Sequence, residues 1–277
     1  MRFPILALVA LPFTACFPAR PLQKTTTAPP ALIERIQRVE SSAPAPAAPV
    51  NPPRATVLEI SGITFEGVSF DSRNNHLVVT DQANGPGSQY AGSAAAARAL
   101  GGLAAVNAGF FTPEGNPLGL VASSGKFSGA WNTASSLGSA AWYENNSSGN
   151  MAISRREKLG RAGASILREL IQAGPLLVEN GRATGGLEAT KSSARTVILW
   201  DGGTRWWIGC GSPCTLAALG QALATAQPAG WPVRQALNLD GGRSSDLWIS
   251  EAVPGGPVLR RPPWNRPVRN FLVLVAR

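Results

Sequence analysis

Between residues 56 and 276 the chain breaks into short apolar and β-branched runs punctuated by Gly, Asn, Asp and Pro, and that spacing restricts the folds open to it. The runs are TVLEI, ITFEGVSF, HLVVT, LAAVNAGFF, LGLVAS, PLLVEN, RTVILW, RWWIGC, ALNLD, DLWIS and NFLVLVA, each of strand length. Three segments have helical character. GSAAAARAL has it from alanine propensity, ASILRELIQAG from its apolar spacing, and PCTLAALGQALATA follows Ser212 as N-cap with Pro213 at the first helical position. Helices this few and this separated do not support strict β-α-β alternation. The reading is therefore an α+β fold, one domain with a mixed β-sheet core and a few flanking helices. SSLGSAAWYENNSSGN reads as a polar loop between short strands.

The N-terminus speaks to compartment. Arg2, the apolar run ILALVAL and the small residues ahead of Cys16 have the shape of a secretory signal, and the run is too short to span a bilayer. FTAC resembles the lipobox of bacterial lipoproteins, with Phe13 where Leu is usual, which makes Cys16 a lipidation site. Residues 16–55 are rich in Pro, Ala and Thr, too poor in apolar surface to fold, and read as a semi-rigid tether in which LIERIQRVE forms at most one short helix. The division expected is a signal peptide over 1–15, a lipidated tether over 16–55 and a folded domain over 56–277. This places the protein on the periplasmic or cell-surface side, anchored to the membrane.

With Cys16 set aside, the chain's remaining cysteines are Cys210 and Cys214, in CGSPC. Outside the cytoplasm such a pair reads as a disulfide, and zinc, which wants four N or S ligands, finds a single histidine here. The net charge of +9 is spread along the chain except in RRPPWNRPVR. No nucleic-acid motif or basic amphipathic helix accompanies it, and no protein partner is indicated; the charge reads as a solvated surface or as attraction to anionic glycans.

His76 is the only histidine, placed between a turn and a strand, and no Walker-A loop, dinucleotide fingerprint or HExxH helix occurs. Chemistry falls to carboxylates, arginines, amides and hydroxyls. Their densest cluster is NLDGGRSSDL, where an apolar strand ends in Asp240. Gly241 and Gly242 permit a sharp turn or exposed backbone N–H groups, and Ser244 and Ser245 offer hydroxyls. Asp240 is either a base or nucleophile at a strand end or a simple turn cap. Asn107 ends LAAV and is followed by Phe110 and Phe111, one suited to the core and one to a stacking face; Glu114 in TPEGNP is a further carboxylate. Arg195, at the head of RTVILW, suits bidentate capture of a phosphate or serves as a surface cation.

In order and content, NAGFF with PEGNPLGL, QAGPLLVENG, ARTVILW, NLDGGRSSDLWI and NRPVRNFLVLV resemble the phosphodiester glycosidase family, closest to a short prokaryotic branch. The resemblance implies hydrolysis of the bond between a sugar's anomeric carbon and a phosphodiester oxygen on an envelope or extracellular glycan. It implies Asp240 and Arg195 as catalytic residues, the acid activating water or steadying the oxocarbenium-like centre and the arginine taking charge on the phosphate. Asn107, Phe111, Glu114, Gly241, Gly242, Ser244 and Ser245 would bind substrate. The chain departs from larger members at Arg243, where they have a third glycine, and at Ser193-Ala194. A phosphate leaves without protonation, so one carboxylate suffices. Two other readings are a non-catalytic lipoprotein that binds anionic glycan on Trp206, Trp207, Trp231, Trp248 or Trp264, and an exopolysaccharide-maturation enzyme acting on another linkage. No cofactor is assigned; Asp240, Asp246 and Glu114 offer oxygens to a hard divalent cation, without the spacing of a recognised loop.

Overall fold

The computed structural model describes residues 51–277; the signal, Cys16 and nearly all of the tether lie outside the described residues. In chain order the strands are β1 (Arg54–Ile60), β2 (Ile63–Asp71), β3 (Asn75–Asp81), β4 (Ala104–Asn107), β5 (Val121–Ser123), β6 (Lys126–Ser128), β7 (Ala140–Glu144), β8 (Met151–Arg155) and β9 (Glu169–Ala173). They continue as β10 (Leu176–Glu179), β11 (Arg182–Ala183), β12 (Ser193–Trp200), β13 (Arg205–Cys214), β14 (Gln235–Asn238), β15 (Leu247–Ile249), β16 (Val258–Arg260) and β17 (Asn270–Ala276). The helices are α1 (Ser93–Ala99), α2 (Arg156–Ala164) and α3 (Leu216–Thr225).

Three sheets form, in the orders β1-β2-β13-β12-β14-β10-β11, β16-β15-β4-β17-β3 and β6-β5-β9-β7-β8. All pack inward on one core, to which the first gives Ile198 and Trp206, the second Val106 and Leu272, and the third Trp142 and Ile171. Each outer face carries one helix. Leu219 and Leu223 of α3 cover Val197 and Leu199; Ala96 and Ala97 of α1 cover Ala105 and Val273; Ala164 of α2 covers Ala141 and Leu170. Central strands are thus buried on both faces, which is why LAAV and NFLVLVA read as continuous apolar runs rather than alternating ones. Trp142, Trp206 and Trp207 are completely buried, and truncating any of them to Ala costs about 3–5 kcal/mol.

The α+β reading holds coarsely, with little helix. The sheets, however, are not mixed: every ladder among the described residues is antiparallel. ASILRELIQAG is not a helix. Its ELIQA portion is β9, central in the third sheet, and the helix is the preceding Arg156–Ala164; burial of Leu170 and Ile171 on opposite faces overrides the helical spacing. The polar loop contains β7, whose Ala-Ala-Trp core is hidden by flanking Ser and Asn. Ser212 and Pro213 lie within β13, and Thr215 caps α3, its side chain accepting from the N–H of Ala218 at 3.1 Å.

No disulfide joins Cys210 to Cys214; both thiols are free and buried. Four residues apart on one extended strand, their Cα atoms would be separated by about 13 Å, twice what a disulfide bridges. A register shift opposite Ser193 and Arg195 also turns the strand, so Cys210 faces the central core and Cys214 the core under α3.

Candidate functional site

β14 belongs to the first sheet and β15 to the second, so residues 239–246 carry the chain between sheets. The backbone there must leave one ladder before joining the next, and its polar groups need partners. Asn107, at the end of β4 and fully buried, supplies them: its Nδ2 donates to the carbonyl of Asp240 at 2.6 Å, and its Oδ1 accepts from the Thr196 hydroxyl at 2.8 Å and the Asp246 N–H at 3.0 Å. Asp240 N–H donates to Ala108 O at 2.9 Å. The glycines are sterically required. A Cβ on Gly241 would sit 2.6 Å from Ala194 O, and Gly242 has φ +62°.

With its main chain pinned, Asp240 is only 7% exposed and its Oδ2 has no hydrogen-bond partner. Burial raises its pKa to about 6, against the lowering effects of the Ser244 hydroxyl, the Arg266 charge and the Gly241 N–H. Arg266 places Nη2 3.8 Å from Oδ2, donates from Nε to Ser244 Oγ at 3.1 Å, and lies over the Phe111 ring with Cζ 4.6 Å from the centroid. Asp246, also buried, is committed elsewhere: it accepts from Ser93 N–H at 2.9 Å and Oγ–H at 2.7 Å at the start of α1, with Arg261 Nε at 3.4 Å.

Over this loop opens a cavity of about 840 Å³ whose walls include Lys191, Arg243, Arg260, Arg261 and Arg266, with Ser193, Ser212, Ser245 and Trp264. A buried carboxylate basic near neutrality, beside a cation at the edge of a positively charged cavity, is suited to taking a proton from water while an anion is bound.

The sequence-derived residues divide accordingly. Asp240, Gly241, Gly242, Ser244, Ser245, Asn107 and Phe111 come together, Asn107 as a buried brace rather than a group open to ligand. Arg195 is not brought to Asp240. Its Nε donates to Cys214 O at 2.9 Å and its Nη2 to Lys191 O at 2.8 Å, and the strand alternation that turns Thr196 towards Asn107 turns Arg195 to the other face. Glu114 is exposed, with Thr112 lowering its pKa by hydrogen bonding. Among the described residues no three His, Cys, Asp or Glu side chains gather as a metal site. Of the tryptophans suited to stacking, Trp206, Trp207 and Trp231 are buried, Trp248 lies under Arg98, and Trp264 alone is exposed at the cavity. Sequence reasoning missed Arg266, although it lies in the basic patch RRPPWNRPVR.

The profile of the phosphodiester glycosidase family matches residues 101–275. Among solved structures, the fold is similar to the catalytic domain of zebrafish N-acetylglucosamine-1-phosphodiester alpha-N-acetylglucosaminidase, auto-inhibited by its pro-peptide (TM-score 0.56, 18% identity, 84% of this chain and 86% of that one). It is also similar to a hypothetical protein from Synechocystis (TM-score 0.52, 18% identity, 84% of this chain and 65% of that one). A sequence search of curated proteins finds no match.

Proposed function

The chain belongs to the phosphodiester glycosidase family, and on that premise we propose that it is an exported hydrolase that cleaves the glycosidic bond of a sugar-1-phosphodiester. The zebrafish relative acts, by its name, on an N-acetylglucosamine-1-phosphodiester. The observation that carries the reading is Asp240: a carboxylate with an unpartnered oxygen, its pKa raised to about 6, 3.8 Å from Arg266 beside a cationic cavity.

In the reaction, water attacks the anomeric carbon and gives its proton to Asp240. The bond from that carbon to the phosphate oxygen breaks with its electron pair on the departing phosphomonoester, and Arg266 balances the added negative charge. Ser245, on the cavity wall, orients sugar or phosphate oxygens, while the fully buried Ser244 braces Arg266 against Asp240. A phosphomonoester is a weak base, so the leaving group needs no acid, consistent with the commitment of Asp246 to Ser93 and Arg261. Export, and anchorage through a lipid on Cys16, rest on ILALVAL and FTAC; an envelope or extracellular glycan is then the source of substrate.

Incubation of purified protein with a panel of sugar-1-phosphodiesters, following free sugar and phosphomonoester, tests the reading. Release by the wild type and its loss in Asp240→Asn is the result expected. Binding without turnover across the panel, or full activity in Asp240→Asn, overturns it.

A further inference from the structure

The cavity holds more positive charge than one phosphodiester accounts for. Of its five cations, three are matched by carboxylates: Arg260 Nε lies 3.1 Å from Glu66, Arg261 Nε 3.4 Å from Asp246 and Arg266 Nη2 3.8 Å from Asp240. Lys191 and Arg243 pair with no carboxylate among the described residues. Both are exposed, and the one side-chain bond of Arg243 runs from Nε to the Trp264 carbonyl at 3.1 Å. They reach the cavity from different parts of the chain, Lys191 from the segment leading into β12 and Arg243 from the crossover loop, and Ser193 and Ser212 line the same cavity, the Ser212 hydroxyl accepting from the Thr64 N–H at 3.0 Å. Uncompensated cations lining one concave site with serines are what a phosphate requires. Arg266 is already taken up with Asp240 and the scissile group.

We infer that Lys191 and Arg243 form a second anion subsite, which selects substrates whose leaving group carries a further phosphate beyond the scissile phosphodiester. The substrate class is thus a glycan with phosphates in series rather than an isolated sugar-phosphate ester. This deepens the catalytic reading and rests on it for the direction of the substrate, while the subsite itself is a binding property.

Calorimetric titration of the purified protein with inorganic pyrophosphate and with orthophosphate measures the subsite without turnover. Pyrophosphate should bind at least about tenfold more tightly than orthophosphate, since each added cation–phosphate contact at a partly exposed site contributes several-fold. In Lys191→Gln/Arg243→Gln the ratio should fall to about twofold or less, with Lys191→Gln alone lowering it partway. Lys191 makes no side-chain bond that folding needs, so the single variant remains informative if the double variant is unstable. A second arm compares kcat/KM for two substrates with the same sugar, one with a methyl phosphodiester and one whose leaving group bears a second phosphate; the ratio should fall about tenfold in the double variant. A wild type indifferent to the second phosphate, or variants that keep the wild-type ratio, overturns the subsite. Pyrophosphate selectivity without turnover of either substrate overturns the catalytic reading and leaves the subsite standing; turnover without selectivity does the reverse.

Discussion

Asp240→Asn should remove activity and stabilise the fold, and the second effect can be sized from the structure. The carboxyl has a pKa of about 6 in the folded chain against its ordinary 3.8, because burial outweighs Ser244, Arg266 and the Gly241 N–H. A group whose folded pKa is raised in this way binds more protons folded than unfolded between those values, so stability falls as pH rises from about 4 to about 6. At about 1.4 kcal/mol per pKa unit, ionised Asp240 costs the native state about 3 kcal/mol at neutral pH. Asparagine has the same shape, accepts from Ser244 and carries no charge. The variant should therefore melt higher than wild type at pH 7.5 by about 6–12 °C for a folded domain of this size, with the gap closing towards pH 4. Melting curves by circular dichroism across that range measure it. A variant that melts at or below the wild type at pH 7.5, or a gap that does not shrink on acidification, refutes a desolvated carboxylate at this position.

Further outcomes follow from the same geometry. Arg266→Ala should lower kcat/KM about 10²–10³-fold and move the rise of kcat/KM with pH, expected near pH 6 in the wild type, upward, because Arg266 lowers the Asp240 pKa; a pH–rate profile reads both. Arg195→Ala loses its bonds to Cys214 O and Lys191 O and should cost about 1–3 kcal/mol of stability while kcat stays within about threefold; denaturant titration beside steady-state assays separates the two. Asn107→Ala leaves Thr196, the Asp246 N–H and the Asp240 carbonyl without their partner, a loss of about 3–5 kcal/mol measurable by urea unfolding. Burial pushes the Cys210 thiol to about 12 and raises that of Cys214, so a thiol reagent at pH 8 should label neither in the native protein and both after unfolding, and a reductant should leave the melting temperature unchanged.

The central strands of the first two sheets were readable because both their faces are buried, and a run such as NFLVLVA has no other use. Of the third sheet only β5, within LGLVAS, was readable. Trp142 sits fully buried in a segment whose Ser and Asn neighbours read as loop, and β9 has helical spacing only because residues of opposite faces happen to fall at helical intervals. Asp240, its glycines and its serines announced themselves as one cluster, since a strand end fixes them within a few residues. Arg195 and Arg266 show where that reasoning stops. Alternation says that Arg195 and Thr196 face opposite ways but not which face meets the cavity, and Arg266 comes to Asp240 across 26 residues, from a basic stretch that reads equally well as solvated surface. The cysteines failed for a related reason: a bulge, invisible in CGSPC, put them on opposite faces of one strand.

The crossover between sheets explains how the fold can hold such a carboxylate at all. A buried, partly unsatisfied acid is costly, and a loose loop would relieve the cost by turning the side chain to water. Residues 239–246 cannot turn. The Leu239 N–H is bonded to Thr196 O at 2.9 Å, the Asp240 N–H to Ala108 O at 2.9 Å and the Asp240 carbonyl to Asn107, and Gly241 is pressed against Ala194. The main chain is satisfied so that the side chain need not be. Burial pushes the pKa upward, towards an acid too weakly ionised to serve as a base; Ser244, Arg266 and the Gly241 N–H oppose it and leave the value at about 6. The cationic cavity thus does two jobs with one charge distribution, holding the anionic substrate and keeping its base ionised, and the first job weakens the second. Once a phosphate neutralises Arg266, the Asp240 pKa should climb, so the pH dependence of kcat must lie above that of kcat/KM.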